Sequence, residues 1–198
     1  MNNTNTSKSY NLAVTAILLA VVVLLQCVLG AVKIGTVSLT FVLIPIVLGA
    51  VAVNWKVGAI LGFGFGVITY VMGLIGADGF TFILISDHPI LTAVVCIVKG
   101  TASGLVAGLI FNLFKGKGNK EYIGLFISSF IAPTVNTGLF IIGALFMSDT
   151  LTANFTNDVL YFLIVGCAGG NYLIEVALNM AFVPALYRVY TAVTKRSK

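Results

Sequence analysis

Long apolar runs, separated by short polar turns, make up most of this chain. Six of these runs reach the roughly 17–25 residues that a helix needs to cross a bilayer. None of them shows the alternation of apolar and polar residues that is typical of membrane barrel strands. The pattern therefore predicts an all-α integral membrane protein with six transmembrane helices. The predicted segments are 10–29, 36–53, 57–74, 90–114, 122–147 and 159–189.

Composition agrees with this fold class and leaves no room for a separate soluble domain. Of the 198 residues, 59% are hydrophobic and 9% are charged, whereas a soluble domain carries about 25% charged residues. We expect a disordered polar tail over 1–9, one membrane domain over 10–194 and a basic tail over 195–198. The net charge of +5 comes from basic residues at segment ends, which indicates membrane topology rather than a nucleic-acid partner.

The basic residues also orient the helices, because short cytoplasmic loops are enriched in Lys and Arg. With the N-terminus in the cytoplasm, nine of the eleven basic residues fall inside. Lys33 lies outside, in the turn between the first two helices, and Lys99 lies within the membrane. We therefore predict that both termini are cytoplasmic.

Lys99 lies near the middle of the fourth apolar segment, ILTAVVCIVKGTASGLVAGLIFNLF. A cation at the centre of a bilayer costs about 2.5–3.5 kcal/mol on insertion scales, so a protein partner, water or an anionic ligand must compensate it. Gly100, Gly104 and Gly108 follow at intervals of four residues. This spacing predicts a stripe that a second helix can approach very closely.

Two asparagines on the fifth and sixth segments reach the depth of Lys99. At about 1.5 Å per residue, Lys99 lies about 15 Å below the outer start of its helix, and Asn136 and Asn171 lie about 16 and 18 Å deep. Glu175 follows Asn171 by four residues, so it shares that helix face one turn deeper. Two interpretations stay open and can coexist: a structural Lys99–Glu175 ion pair, and a ligand pocket lined by Lys99, Asn136 and Asn171.

The connection over 76–89, GADGFTFILISDHP, has an apolar centre that is unusual for a loop facing water. We expect it to fold back over the helix bundle as a lid, with Gly76, Gly79 and Pro89 as hinges. The alternative is an overlong end of the third helix. His88 is expected at the rim of the pocket mouth.

Small residues form patches on other segments as well. Ala16 and Ala20, with Ala13 one turn earlier, make a smooth face on the first helix that fits close contact within the bundle or with another subunit. The pairs Gly62–Gly66 and Gly166–Gly170 are predicted to be packing positions, since neither follows a strand in the manner of a phosphate loop.

Catalytic and metal chemistry find no support in the sequence. A single histidine without a spaced cluster of acids leaves too few ligands for a metal site. No serine, histidine and acid share one depth, so hydrolytic chemistry is not indicated. We therefore expect neither an enzyme nor a bound cofactor.

Taken in order, several of these stretches resemble the substrate-binding S components of energy-coupling factor (ECF) vitamin transporters, most closely the pantothenate-type members. The resemblance covers nearly the whole chain and includes the six-segment layout and the alanine patch. The other stretches that carry it are SLTFVLIPIVLGAVAVNWKVGAILGFGFG, HPILTAVVCIVKG, IAPTVNTGLFIIG and NYLIEVALNMAFVPALYRVY.

The resemblance implies a six-helix protein of the bacterial cytoplasmic membrane with a vitamin pocket near the outer face, formed by helices four to six. The alanine patch would dock on a membrane coupling subunit that two ATPase subunits drive, and the vitamin would be delivered inward. The absence of a P-loop in this chain fits that division of labour. The alternative function is an autonomous secondary transporter.

For individual residues, the resemblance implies that Lys99 faces a ligand carboxylate. Pantothenate would offer that group, together with hydroxyl and amide groups for Asn136 and Asn171. Another water-soluble vitamin is the alternative substrate, since Tyr172 supplies a ring for stacking. The expected substrate-binding residues are Lys99, Asn136, Asn171, Glu175, Tyr172 and His88; the gate contains Lys33, Phe80, Phe82 and Asp87; the docking residues are Ala13, Ala16 and Ala20.

Overall fold

A computed structural model describes the backbone over residues 3–29, 33–34, 37–38, 41–155 and 157–196, with side chains over 9–28, 41–155, 157–166 and 169–193. Nearly all of these residues are helical. The elements, in chain order, are α1 (Asn3–Leu29), β1 (Lys33–Ile34), β2 (Val37–Ser38), α2 (Leu43–Ala52), α3 (Trp55–Leu74), α4 (Gly79–Asp87), α5 (Pro89–Phe114), α6 (Lys120–Leu145), α7 (Ser148–Asn154), α8 (Val159–Tyr161), a π-helical segment (Phe162–Gly169), α9 (Gly170–Ala181) and α10 (Val183–Arg196).

Five helical stretches of the described chain are long and apolar enough to cross a membrane. They correspond to predicted segments one, three, four, five and six, so the integral membrane fold class is confirmed at this level. The stretches are Ser9–Val28, Trp55–Leu74, Pro89–Phe114, Lys120–Leu145 and Val159–Ala181.

The second predicted segment differs from the structure. Its helix, α2, has 10 residues and a length of about 15 Å, half of the roughly 30 Å hydrocarbon core. Two-residue strands precede it and pair antiparallel, with Lys33 opposite Ser38 and Ile34 opposite Val37. β-branched residues, which favour extended backbone, are frequent just before α2 and explain why this apolar run is not one continuous helix.

The two predicted tails and the sixth segment also differ in detail. The helix α1 begins at Asn3, within the stretch predicted as a polar tail; no glycine or proline interrupts this stretch. The helix α10 continues to Arg196, into the predicted basic tail. The sixth segment is not one α-helix, because it contains the π-helical segment and a turn at Phe182.

The predicted lid is a short helix rather than a loop. The helix α3 ends at Leu74, and the chain turns at Gly76 with φ of +74°, a conformation that favours glycine. This end excludes an overlong third helix. The helix α4 that follows buries Phe80 and Leu84 against the end of α6, α7 and the π-helical segment. Its apolar centre is therefore explained by packing over one end of the bundle.

Three apolar clusters hold the bundle together. The first joins α2, α5, α6 and α10, and the second joins α1, α2 and α3. The third lies at the opposite end of α5 and α6 from the first, where α4 and α7 cover the bundle. Because Ala107 packs in the first cluster and Val95 against the third, the intervening Lys99 lies between two apolar cores.

The helices α3 and α5 approach each other through glycines on both sides. A Cβ atom built on Gly62 would overlap the carbonyl oxygen of Gly100, and one on Gly104 would overlap that of Gly58. The predicted glycine stripe on α5 is thus confirmed as a close helix contact, and α3 is the partner. Gly170, in contrast, has open space around its Cβ position, so the predicted packing role of the Gly166–Gly170 pair is not observed there.

The glycine contact leads to a prediction about stability. Gly62→Ala should lower the free energy of unfolding by about 1–3 kcal/mol, because the new methyl group forces the two backbones apart. Gly138→Ala is the matched control, since its Cβ would meet nothing within 4 Å. Thermal unfolding of the protein in detergent measures both; equal midpoints for the two variants would contradict the glycine contact.

Candidate ligand site around Lys99

Lys99 lies on α5 and is half-buried, and its described contacts are with aromatic rings rather than with a carboxylate. Its Nζ lies 5.0 Å from the ring centroid of Phe140 on α6 and 6.0 Å from that of Phe65 on α3. Both distances are within the roughly 6 Å at which the face of a ring attracts a cation. Two neighbouring helices thus supply the rings that hold the ammonium group.

Asn136 lies four residues before Phe140 on α6, on the same helix face and about 6 Å away along the helix. Its side chain is 4% exposed. Among the described residues, its Oδ1 atom has no hydrogen-bond partner. A buried amide oxygen without a partner costs free energy, so this atom is an acceptor available to a bound molecule.

A hydrogen bond between α6 and α9 brings Asn171 near the height of Asn136. The hydroxyl groups of Thr134 and Tyr172 lie 3.1 Å apart. Because Asn136 is two residues from Thr134 and Asn171 is next to Tyr172, the two asparagines lie at similar heights on facing helices. We use the name polar level for the predicted residues Lys99, Asn136, Asn171 and Glu175; Glu175 lies one turn, about 6 Å, from Asn171 along α9.

The buried face of α9 is polar along its whole length. Asn171, Glu175 and Asn179, spaced by four residues, are its buried side chains, and the amide Nδ2 of Asn179 donates to the carbonyl oxygen of Glu175 at 2.9 Å. The apolar Leu173 is 67% exposed. A spanning helix with its polar face inward indicates a polar bundle interior, which in membrane proteins marks a functional site.

A cleft of about 410 Å³ opens between α6 and the stretch that joins the π-helical segment to α9. Its walls are apolar, with hydroxyl groups at the Thr134–Tyr172 contact. Tyr172 is thus the predicted substrate-binding residue that lines this cleft, and its lining does not include Lys99, Asn136, Asn171 or Glu175. The lining residues are Thr134, Thr137, Gly138, Ile141, Ile164, Gly169, Tyr172 and Leu173.

Three of the predicted gate residues, Phe80, Phe82 and Asp87, lie on different sides of α4, and the fourth, Lys33, lies elsewhere. Phe80 is 5% exposed and its ring centroid lies 5.9 Å from that of Phe140. Phe82 and Asp87 are on the exposed side of the helix. Lys33 belongs to β1, and its side chain lies outside the described residues.

His88 is not part of the polar level, since it precedes Lys99 by eleven residues, about 16 Å along α5. It joins α4 to α5, and its Nε2 lies 3.1 Å from both carboxylate oxygens of Asp149 on α7. The backbone N–H of Thr150, and next the imidazole of His88, lower the pKa of the exposed Asp149. The His88–Asp149 contact therefore attaches one end of α4 to α7.

Sequence reasoning missed three of these residues. Phe140 is four residues from Asn136, so helical periodicity alone would have placed it on the same face as the pocket. Asp149 follows a helix that is antiparallel to the one beginning after His88, and this connection brings the two residues to one end. Phe65 had no comparable signal, because its contact depends on how α3 is rotated against α5.

No cluster of three or more His, Cys, Asp or Glu that could hold a metal ion occurs among the residues with described positions.

A family model for the substrate-specific component of ECF transporters matches residues 10–187. No curated protein sequence matches the chain.

The His88–Asp149 contact predicts a measurable loss of order in α4. His88→Ala and Asp149→Asn should each increase hydrogen exchange of the α4 amides by a few-fold, consistent with the modest strength of an exposed ion pair. The double variant should show no further increase, because both changes remove one contact. Asp87→Asn, which removes a neighbouring exposed acid, is the control, and an equal response there would contradict the assignment.

The same contact should depend on pH in a defined direction. The pKa of Asp149 is lowered in the folded protein, so its stabilising effect is present above the ordinary carboxyl pKa of about 3.9 and is lost as the pH falls below it. Exchange of the α4 amides, corrected for intrinsic rates, should therefore increase below that pH. The Asp149→Asn variant should show no such transition.

Proposed function

We propose that this chain, which belongs to the family of substrate-specific components of ECF transporters, binds a small carboxylate vitamin at the polar level. The family match over residues 10–187 covers nearly the whole chain. It identifies a multi-pass membrane protein that binds a small molecule for an ECF transporter. Pantothenate is the substrate that we propose on chemical grounds.

The observation that carries this proposal is the position of the Lys99 ammonium group. The rings of Phe65 and Phe140 attract the cation, but they do not accept its three N–H groups as a carboxylate oxygen does. A ligand carboxylate would supply those acceptors and form charge-assisted hydrogen bonds. It would also compensate a charge that is costly at this depth of a bilayer.

The second half of the site favours a ligand with hydroxyl or amide donors. The Oδ1 atom of Asn136 accepts no hydrogen bond from the described residues, and a hydroxyl or amide N–H of the ligand would complete it. Pantothenate carries a carboxylate, hydroxyl groups and an amide in one flexible chain. A flat aromatic vitamin with a carboxylate is the alternative, since Tyr172 offers a ring for stacking in the cleft between α6 and α9.

Transport requires partners, and we propose that α1 supplies the docking surface for the coupling subunit and its two ATPases. Ala13, Ala16 and Ala20 are exposed on α1. Small side chains let a partner helix approach closely, and these alanines are available because α1 packs into the bundle through Leu18 and Val22 instead.

For the membrane topology, we propose six crossings with both termini in the cytoplasm of a bacterium. The helix α2 is too short to cross alone, and the crossing at this position is proposed from the length of the whole apolar run over 36–53. The distribution of Lys and Arg supports this orientation. The helix α4 and the β1–β2 hairpin then lie on the outer side, where they form the gate together with Lys33, Phe80, Phe82, Asp87 and His88.

The proposed substrate can be identified directly. Mass spectrometry of protein purified from the membrane should find a carboxylate vitamin bound without ATP. Calorimetric titration with pantothenate should give an affinity that Lys99→Met lowers about 30-fold or more, since truncating one partner of a buried charged contact costs about 2–5 kcal/mol.

Lys56→Met is the matched control for the Lys99 variant. The Nζ of Lys56 also lies over a ring, 5.5 Å from the centroid of Trp55, but the side chain is exposed and outside the polar level. Its affinity for pantothenate should equal that of the unmodified protein. Unchanged affinity in the Lys99→Met variant would overturn the assignment of this site.

Docking through α1 predicts that binding and uptake can be separated. Ala16→Trp should keep its affinity for the vitamin but abolish ATP-dependent uptake in vesicles that contain the coupling subunit and ATPases, because the bulky ring prevents close approach. Ala181→Trp, an exposed position on α9, should leave uptake intact. Uptake by the chain alone, driven by an ion gradient, would instead favour a secondary transporter.

A further inference from the structure

We infer that Phe140 is a positioning residue that couples the lid helix α4 to the ammonium group of Lys99. The inference rests on the proposed function, in which Lys99 binds the ligand carboxylate. Through Phe140, the position of α4 and the position of the Lys99 ammonium group would influence each other.

The ring of Phe140 contacts both partners. It lies 5.9 Å from the ring of Phe80 on α4, at an interplanar angle of 59°, and its centroid lies 5.0 Å from the Nζ of Lys99. Aromatic pairs at such distances attract each other beyond their apolar burial. One side chain on α6 therefore connects the lid helix to the charged group on α5.

The lid side of this connection is held firmly. Besides Phe140, the ring of Phe80 contacts Phe155 at 5.4 Å and Phe162 at 6.5 Å, and Phe155 and Phe162 stack on each other at 5.2 Å. When α4 covers the bundle, Phe80 is enclosed by rings from three other parts of the chain. Any movement of α4 removes one of the rings that hold Phe140 in place.

The contact between the Phe140 ring and Lys99 fixes the orientation of the ammonium N–H donors. A cation over a ring face is attracted to it, so the Phe140 ring defines one side of the Lys99 ammonium and leaves other N–H groups for a ligand carboxylate. Loss of the lid contact would release the ring and allow the ammonium group to move. By thermodynamic linkage, a ligand that favours the positioned ammonium must then favour the closed position of α4.

Phe65 does not provide the same connection, although it contacts the same ammonium group. It lies on α3 within the second cluster and packs against α1, α2 and α3 residues. Its described ring contacts do not include a residue of α4. The coupling is therefore assigned to Phe140 alone of the two rings around Lys99.

The first experiment needs no ligand. In the full-length protein, Phe140→Leu should increase hydrogen exchange of the α4 amides about five- to tenfold, and Lys99→Met should increase it to a smaller extent. In the double variant, Lys99→Met should add nothing to Phe140→Leu, because the charge acts on the lid only through the ring. Phe140→Tyr, which keeps the ring, should restore protection of α4.

Phe130→Leu is the control for removing a ring from α6, because Phe130 is an exposed residue of that helix. It should leave exchange in α4 unchanged. Additive effects of Phe140→Leu and Lys99→Met, or failure of Phe140→Tyr to restore protection, would overturn the coupling. Either result would leave Phe140 as a packing residue.

The second experiment adds pantothenate as the probe. It should protect the α4 amides in the unmodified protein and in Phe140→Tyr, but not in Phe140→Leu, whose affinity should be about five- to tenfold lower. If pantothenate fails to bind while the ligand-free coupling is present, the proposed substrate is wrong and the coupling stands. If it binds and protects α4 equally in Phe140→Leu, the coupling is wrong and the proposed substrate stands.

Discussion

The backbone contact between α3 and α5 is the constraint on which the site depends. Glycines at facing positions, among them Gly62 and Gly100, allow a separation that no side chain would permit. Lys99 adjoins this contact, so the rotation that brings Gly100 against α3 also decides where the ammonium group points. The ammonium group points between α3 and α6, where it lies over the rings of Phe65 and Phe140.

A second feature is the inverted arrangement of polarity around that charge. In α9 the polar residues Asn171, Glu175 and Asn179 are buried, whereas apolar side chains such as Leu173 face outward. In water this arrangement would be unfavourable, but in lipid it removes polar groups from hydrocarbon and collects them inside the bundle. An interior of this kind has little to gain from apolar packing and is suited to enclosing a polar solute. The membrane environment and the proposed binding function therefore both favour polar side chains on the inward face of α9 and apolar side chains on its outward face.

The helix α4, the predicted lid, is attached to the rest of the bundle at both of its ends. Phe80 packs among aromatic rings near the start of α4, and His88 contacts Asp149 just after its end. The aromatic attachment is apolar and adjoins Lys99 through Phe140, whereas the His88–Asp149 contact is exposed and polar. The two attachments of α4 therefore differ in their chemistry.

Local properties of the sequence were sufficient for the fold class and for the glycine contact. Hydropathy located the apolar runs, and four-residue spacing identified the glycine stripe. Each of these properties is contained in a single helix. Even so, apolar length misled at the second segment, because hydropathy alone does not distinguish the extended residues before α2 from a helix.

Tertiary structure decided which groups meet. The ring of Phe140 lies over Lys99, and Asp149 lies beside His88, only because particular helices are rotated and aligned against each other. Rotation and alignment are set by packing across the whole bundle, such as the glycine contact between α3 and α5. The sequence by itself determined that a cation within an apolar helix needs compensation, and the three-dimensional packing determined that two aromatic rings lie beside it. The physical reason is that depth follows from position along one helix, whereas a contact depends on two helices at once.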